Sequence, residues 1–252
     1  MIRYSLFTHK GARKTRTDDA VFAIGKAIQS PDRVLSGETA ATNTAFAVFD
    51  GVGGSQNGAL ASRTCANAFG DLFVSSEITS VSDVRNALEM LQALVMEARK
   101  ENDCTAQTTV VAVLLQKSDI WILKVGDSPL LLEAGEYFEQ ITELDTYINQ
   151  LLKEKGFVTE EEERAYVHRL SHVLGYNGFD KYRAHVYHFP RKTGLRFFLM
   201  SDGVANCFSK GDIEALSRKE HDLVSLTTFV RSEILRLGAE DDFSLIGVEI
   251  IE

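Results

Sequence analysis

Unbroken apolar runs alternate with longer segments in which apolar residues recur every three or four positions. The clearest run is Ala45-Phe46-Ala47-Val48-Phe49, followed at once by Asp50-Gly51-Val52-Gly53-Gly54. Such a run reads as a strand buried on both faces, and the glycines allow positive φ or close approach to a ligand. Further strands are expected over residues 3–8, 20–25, 108–115, 119–125, 128–133, 183–189, 195–200 and 243–250. Leu60, Cys65, Phe69 and Phe73, then Val84, Leu88, Leu91 and Val95, repeat at helical spacing. So do residues 211–219 and the series Leu223, Leu226, Val230, Ile234 and Leu237. Residues 26–44 are polar and contain Pro31 and Gly37, which predicts a loop. Residues 142–180, acidic at Glu160-Glu161-Glu162-Glu163, predict an insertion with short helices around Leu151 and Arg164 that covers one end of a sheet. Strands cluster and helices cluster without a regular β-α-β alternation. The fold class expected is therefore α+β with antiparallel sheets.

Composition narrows the class. The 252 residues are expected to form one domain, 1–252, with 44% apolar and 25% charged residues at ordinary globular levels. Thirty-six acids against 27 bases leave a net charge of -9. That balance disfavours nucleic acid or an anionic membrane as partner and suits cation binding if the acids converge. Cys65, Cys104 and Cys207 show no CxxC spacing, so neither a disulfide framework nor a zinc site is indicated, and core thiols are expected. No apolar leader opens the sequence, and no run approaches a membrane span. A cytoplasmic monomer is the expectation.

Five acidic positions stand at strand ends beside glycine or another acid: Asp18-Asp19, Asp50-Gly51, Gly126-Asp127-Ser128, Asp202-Gly203 and Asp241-Asp242. Taken alone, each reads more readily as a strand closed by an acidic turn or, at Asp18-Asp19, as a solvated loop. Five in one chain imply carboxylates gathered at one edge of the sheets, where they repel one another unless cations intervene. Oxygen-only donors without His or Cys select hard ions, Mg²⁺ or Mn²⁺. Two such ions about 3.5–4 Å apart can activate a shared water and clamp an in-line phosphoryl displacement. Hydrolysis of a phosphate ester is the chemistry that follows.

The ordered set Thr17-Asp18-Asp19, Asp50-Gly51-Val52-Gly53-Gly54, Gln107-Thr108-Thr109, Gly126-Asp127-Ser128, Ser201-Asp202-Gly203 and Gly238-Ala239-Glu240-Asp241-Asp242 resembles the metal-dependent serine/threonine protein phosphatases of the type 2C family. Gly156-Phe157-Val158-Thr159 and His168-Arg169-Leu170-Ser171-His172-Val173-Leu174-Gly175 are similar to the flap segment of its bacterial members. The resemblance implies an α-β-β-α sandwich of two antiparallel sheets between helical layers, with a flap at about 142–180. It implies dephosphorylation of phosphoserine and phosphothreonine in proteins by a metal-bridging hydroxide. Asp50 would bridge two metals, the Gly51 carbonyl would complete one of them, Asp19, Asp202 and Asp241 would bind directly, and Asp18 would act through water. Asp127 matches a third metal position. Lys14 stands where the family usually has a phosphate-gripping Arg, so Arg13, Lys14 and Arg16 together are the candidate substrate-phosphate cations. Pro129 and Asn206 depart from common family residues near the third site. Val52 stands where many relatives have His. A phosphorylated protein substrate is implied as partner, together with a partner kinase or its targets. The rival expectation is a catalytically silent relative that binds phosphoproteins or serves as a scaffold.

Overall fold

In the computed structural model, which describes residues 1–29, 33–52, 57–76 and 78–251, two six-stranded antiparallel sheets lie face to face. The first contains β1 (Ile2–His9), β4 (Leu35–Thr39), β8 (Leu130–Ala134), β9 (Tyr137–Gln140), β11 (Leu195–Met200) and β12 (Phe243–Ile250), in the order β4-β1-β12-β11-β8-β9. The second contains β2 (Ala20–Ala23), β3 (Lys26–Ile28), β5 (Thr44–Phe49), β6 (Val110–Leu115), β7 (Asp119–Val125) and β10 (His185–Pro190), in the order β10-β7-β6-β5-β2-β3. Ile2, Leu6, Phe46, Val48, Val111, Val113, Phe197, Leu199, Ile246 and Val248 fill the space between the sheets. Because side chains alternate along a strand, the other face of each sheet also needs cover. Helices α1 (Gly58–Phe69) and α2 (Val81–Glu101) bury Phe22, Ala47 and Phe49 with Phe69, Leu88 and Leu91 on the second sheet. Helices α6 (Lys210–Glu220) and α7 (Leu223–Leu237) bury Phe7, Phe198 and Leu245 with Ile213, Leu226 and Val230 on the first. The expected α+β sandwich of four layers is the observed one.

The helices begin where their caps dictate. Ser80, Ser209 and Asp222 each accept a backbone N–H of the first turn of their helix, relieving donors the helix cannot satisfy itself. Between β9 and β10, helices α3 (Tyr147–Lys155) and α4 (Glu160–Tyr166) make the flap, each capped by a threonine, Thr146 and Thr159. The isolated bridge Thr146↔Leu170 joins the flap's two sides, and Thr108↔Leu174 ties its return segment to the body. A short helix α5 (Asp202–Ala205) follows β11 directly.

Four local expectations are corrected. Residues 26–44 are not simply loop, since β3 and β4 lie within them, pairing with β2 and β1 at the outer edges of the sheets. Their side chains are largely exposed, which removes the apolar signal while leaving the edge hydrogen bonds to be made. The strand expected to run to residue 25 stops at Ala23, because Ile24 and Gly25 both take positive φ in a turn. The stripe from Leu60 to Phe73 is an α-helix only to Phe69 and continues as a π-helical turn, Gly70–Val74. Among the cysteines only Cys65 is a core thiol, Cys207 being exposed. Trp121 is 4% exposed and stacks on His188 with ring centroids 4.1 Å apart.

Phe46 is fully buried between the sheets, beside Tyr4 at 5.6 Å. Replacing it leaves a cavity that neither rigid sheet can collapse to fill. Phe46→Ala is expected to lower the unfolding free energy by about 3–5 kcal/mol, read from urea melts monitored by circular dichroism.

Candidate metal centre

Asp50 follows the last residue of β5, and its backbone is fixed from three sides. Its N–H donates to Thr109 Oγ1 at 3.2 Å, and its carbonyl accepts from the Thr109 N–H and from Thr108 Oγ1, both at 2.9 Å. Thr109 Oγ1 lies 2.7 Å from Ser128 Oγ. The Gln107-Thr108-Thr109 segment is thus a hydrogen-bonding brace for the strand end. At Gly51 a Cβ would stand 2.3 Å from the Asp18 carbonyl oxygen, and at Gly203 one would stand 2.0 Å from that of Asp242. Glycine at both places permits backbones carrying different carboxylates to touch. Gly53 and Gly54, the end of the glycine turn read from sequence, lie outside the described residues.

The Asp202 N–H donates to Asp50 Oδ2 at 3.2 Å. Asp19, 1% exposed, accepts from Ser244 Oγ at 2.7 Å. Asp18 Oδ1 accepts from the Ala59 N–H, at the start of α1, at 3.2 Å. Asp241 is more open, with 55% of its side chain accessible. Asp50, Gly51, Asp127, Asp202 and Asp241 all line one cleft of about 290 Å³, with Lys14, Val52, Thr109, His168, Leu170 and Asp242. Asp19 stands beside it within electrostatic reach of Asp50 and Asp202. Of the three candidate phosphate cations, only Lys14 lines this cleft. Its Nζ is 2.8 Å from Asp242 Oδ2, 3.0 Å from Asp241 Oδ1 and 3.3 Å from Asp18 Oδ2. Arg13 is exposed, and Arg16 reaches Asn57 Oδ1 at 3.0 Å along a separate depression.

Asp242 carries no sequence signal beyond its place in an acidic pair. Only 3% exposed, it accepts from the Gly11 N–H at 2.8 Å, the Asp18 N–H at 2.6 Å and Lys14. It therefore latches the whole 11–18 loop onto the start of β12. Asp145 does comparable work at the root of the flap. It accepts from the Gly126 N–H at 2.9 Å and His185 Nε2 at 2.9 Å, and pairs with the wholly buried Lys124 at 3.0 Å. Lys124 also donates to the Glu143 carbonyl. His172, beneath the same segment, stacks on Phe179 at 5.0 Å, and burial pushes its imidazole down to about 4.

Burial, followed by repulsion from Asp19, Asp202 and Asp127, holds the Asp50 carboxyl well above the usual range. Burial also pushes Asp19 up to about 8, with Asp242 and Asp202 adding to the rise and the Ser244 hydroxyl opposing it. Asp127 is pushed up to about 6 by burial and by Asp202. Asp202 rises through burial and Asp241. At Lys14 burial opposes the charge, but the bonds to Asp242 and Asp241 hold its ammonium above the ordinary value. The cluster thus concentrates negative charge, and its donors are all oxygen, the set that hard divalent cations prefer. As the side chains lie, no three among the described residues close around a single point, and the Lys14 ammonium neutralises part of the cluster.

An acid whose pKa is raised by folding favours the folded state below its unfolded value, near pH 4, and loses that contribution as pH rises through the folded value. With Asp127 near 6 and Asp19 near 8, the metal-free chain loses stability from this cluster across about pH 4–8. In EDTA, Asp50→Asn is expected to melt higher than the wild type at pH 8, with the gap shrinking towards pH 5. Differential scanning fluorimetry across that range measures it, and a gap independent of pH is the contrary result.

The sequence model of the Protein phosphatase 2C family matches residues 23–237. "Serine/threonine phosphatase stp" of Listeria innocua is 25% identical over 213 residues, which cover 80% of this chain and 82% of that protein. Among solved structures, serine/threonine phosphatase Stp1 from Staphylococcus aureus superposes with a TM-score of 0.81 at 20% identity, covering 100% of this chain and 96% of the other. The catalytic domain of the serine/threonine protein phosphatase PstP, solved in complex with two manganese ions, has a TM-score of 0.76 at 23% identity and covers 100% and 99%. At those identities the structures establish the sandwich. The family match spans most of the sequence, and the chain belongs to the Protein phosphatase 2C family.

Proposed function

We propose that this protein removes phosphate from phosphoserine and phosphothreonine in proteins, using Mg²⁺ or Mn²⁺. The observation that carries the reading is the convergence of Asp50, Asp127, Asp202 and Asp241 on one cleft, with Asp19 beside it, their like charges repelling one another. Asp19, Asp50, Asp202 and Asp241, with the Gly51 carbonyl, would hold two ions, Asp18 acting through water and Asp127 serving a third. Bound there, the ions supply Lewis-acid activation of water and neutralise charge on the phosphoryl oxygens.

The chain's own residues do the rest. Thr108 and Thr109 fix the Asp50 backbone, so the carboxylate is already in place and costs little reorganisation when substrate binds. Asp242 anchors the loop that carries Lys14 and Asp18. Lys14 is the cation nearest to an entering phosphate monoester in this cleft, a point charge where a guanidinium would offer a planar fork. Arg13 and Arg16 add positive charge along the same loop. Val52 and Leu170 line the cleft without a proton to give. The relatives are named for phosphatase activity on serine and threonine, and a kinase of opposing action is the inferred partner. A silent binding module would be expected to have lost members of the acidic set, and all are retained.

Hydrolysis of 4-nitrophenyl phosphate and of a phosphothreonine peptide is expected to require Mn²⁺ or Mg²⁺ and to stop in EDTA. Asp50→Asn and Asp202→Asn are each expected to lower kcat/KM by more than about a hundredfold and to weaken Mn²⁺ binding measured by calorimetry. Turnover that persists under chelation would refute the reading.

A further inference from the structure

Beside the carboxylate cleft lies a larger groove of about 540 Å³, lined by the flap's return segment on one side and by Thr105 and Gln107 on the other. The two share Val52, His168 and Leu170, so a chain seated with its phosphate among the aspartates runs directly into the groove. The charge of the two differs completely. The cleft is ringed by carboxylates, whereas none of the described residues that line the groove is Asp or Glu, and Arg169 and Arg183 are among them.

Arg169 is held from behind. Its guanidinium lies 4.5 Å from the centre of the Tyr147 ring and 5.7 Å from that of Tyr166, and the two rings stack at 5.5 Å. A cation resting on ring faces is positioned without using its N–H donors. Both Arg169 and Arg183 are exposed, and neither has a carboxylate partner among the described residues. Several nearby acids are engaged elsewhere. Asp145 is paired with Lys124 and His185 behind His172. Asp180 accepts from the Tyr182 N–H at 2.9 Å. On the flap helices Glu160 pairs with Arg164, and Glu162 with Lys155. In a chain of net charge -9, two guanidinium groups without an ion-pair partner among the described residues, beside the reaction centre, form a local attraction for negative ligands that the rest of the surface would repel.

We infer that this groove selects phosphoprotein segments with Asp or Glu flanking the phosphorylated residue, the acidic side chains pairing with Arg169 and Arg183. The inference rests on the phosphatase reading for the placement of the phosphate and adds the flanking chemistry. Fork-shaped guanidinium groups suit carboxylates in particular, because both oxygens can be engaged together. Exposed pairs of this kind contribute modestly, so the expected selectivity is a few-fold in KM and not a gate on kcat.

The test uses three phosphothreonine peptides of equal length whose flanks are Asp/Glu, Ala or Lys, with the Mn²⁺-loaded enzyme. Each kcat/KM is taken relative to the same protein's turnover of 4-nitrophenyl phosphate. The wild type is expected to favour the acidic peptide over the alanine one by about three- to tenfold, mostly through KM, and to lose that preference as salt is raised. Arg169→Met, which keeps an apolar stem on Tyr147, and Arg183→Ala should each reduce the ratio, and the double variant should bring it to about one. Equal handling of the peptides by the wild type, or a preference that survives in the double variant, overturns the inference. Fluorescence anisotropy of the labelled acidic peptide in EDTA reads the groove without turnover. Loss of peptide binding in the double variant with no hydrolysis by any form would sink the phosphatase reading while leaving the groove assigned. If Arg169→Met perturbs the flap in circular dichroism, Arg183→Ala alone decides.

Discussion

Carboxylates brought close together in a partly buried cleft oppose folding, and much of the molecule's detailed structure exists to impose that proximity. Asp50, Asp127 and Asp202 sit at the ends of strands, where the rigid sheets cannot relax to separate them. The 11–18 loop would be the natural place for strain to escape, and Asp242 closes it with two backbone N–H bonds and the Lys14 ion pair. Gly51 and Gly203 permit the last approach, because side chains there would collide with neighbouring carbonyls. The stability needed to sustain this comes from elsewhere, from apolar layers on both faces of both sheets. A chain of this length buries enough surface to carry such a site.

The flap is joined to the centre by a second charged arrangement of the opposite kind. Lys124 and Asp145 form a buried pair whose partners are largely satisfied, with Gly126 and His185 completing the carboxylate. Burial opposes the charge on Asp145, yet His185, Lys124 and the Gly126 N–H together hold it below the usual carboxylate range. Because Gly126 immediately precedes Asp127, the root of the flap and one edge of the acidic cleft are parts of one hydrogen-bonded unit. Displacement of the flap root therefore bears on the position of Asp127, a connection absent from the local sequence at either place.

Much of this was legible in the sequence. The buried strand Ala45 to Phe49 and the helical stripes of α2 and α7 announce themselves because their apolar positions are packed on every face or on one. Edge strands such as Leu35–Thr39 do not, since hydrogen bonding along an open edge demands no apolar partner. The aspartates were recognisable by their recurrence beside glycine, which marks strand ends where backbones meet. Asp242 and Asp145 were harder to identify, for what distinguishes them is the set of backbone N–H groups that only the folded chain brings to them. Lys14 illustrates the same limit: its position in sequence points to phosphate, while its contacts tie it to three aspartates.

Trp121 is the only indole in the chain, and it belongs to the edge where β7 meets β10, packed on the imidazole of His188 rather than among the cleft residues. Indole emission from this protein is therefore a single-site optical signal. His188 is also within 2.8 Å of Asp119, so brightness should respond to any change in that stacked contact. The molecule thus carries its own spectroscopic reporter on one corner of the second sheet, and a change in light yield speaks for that corner before it speaks for the ions.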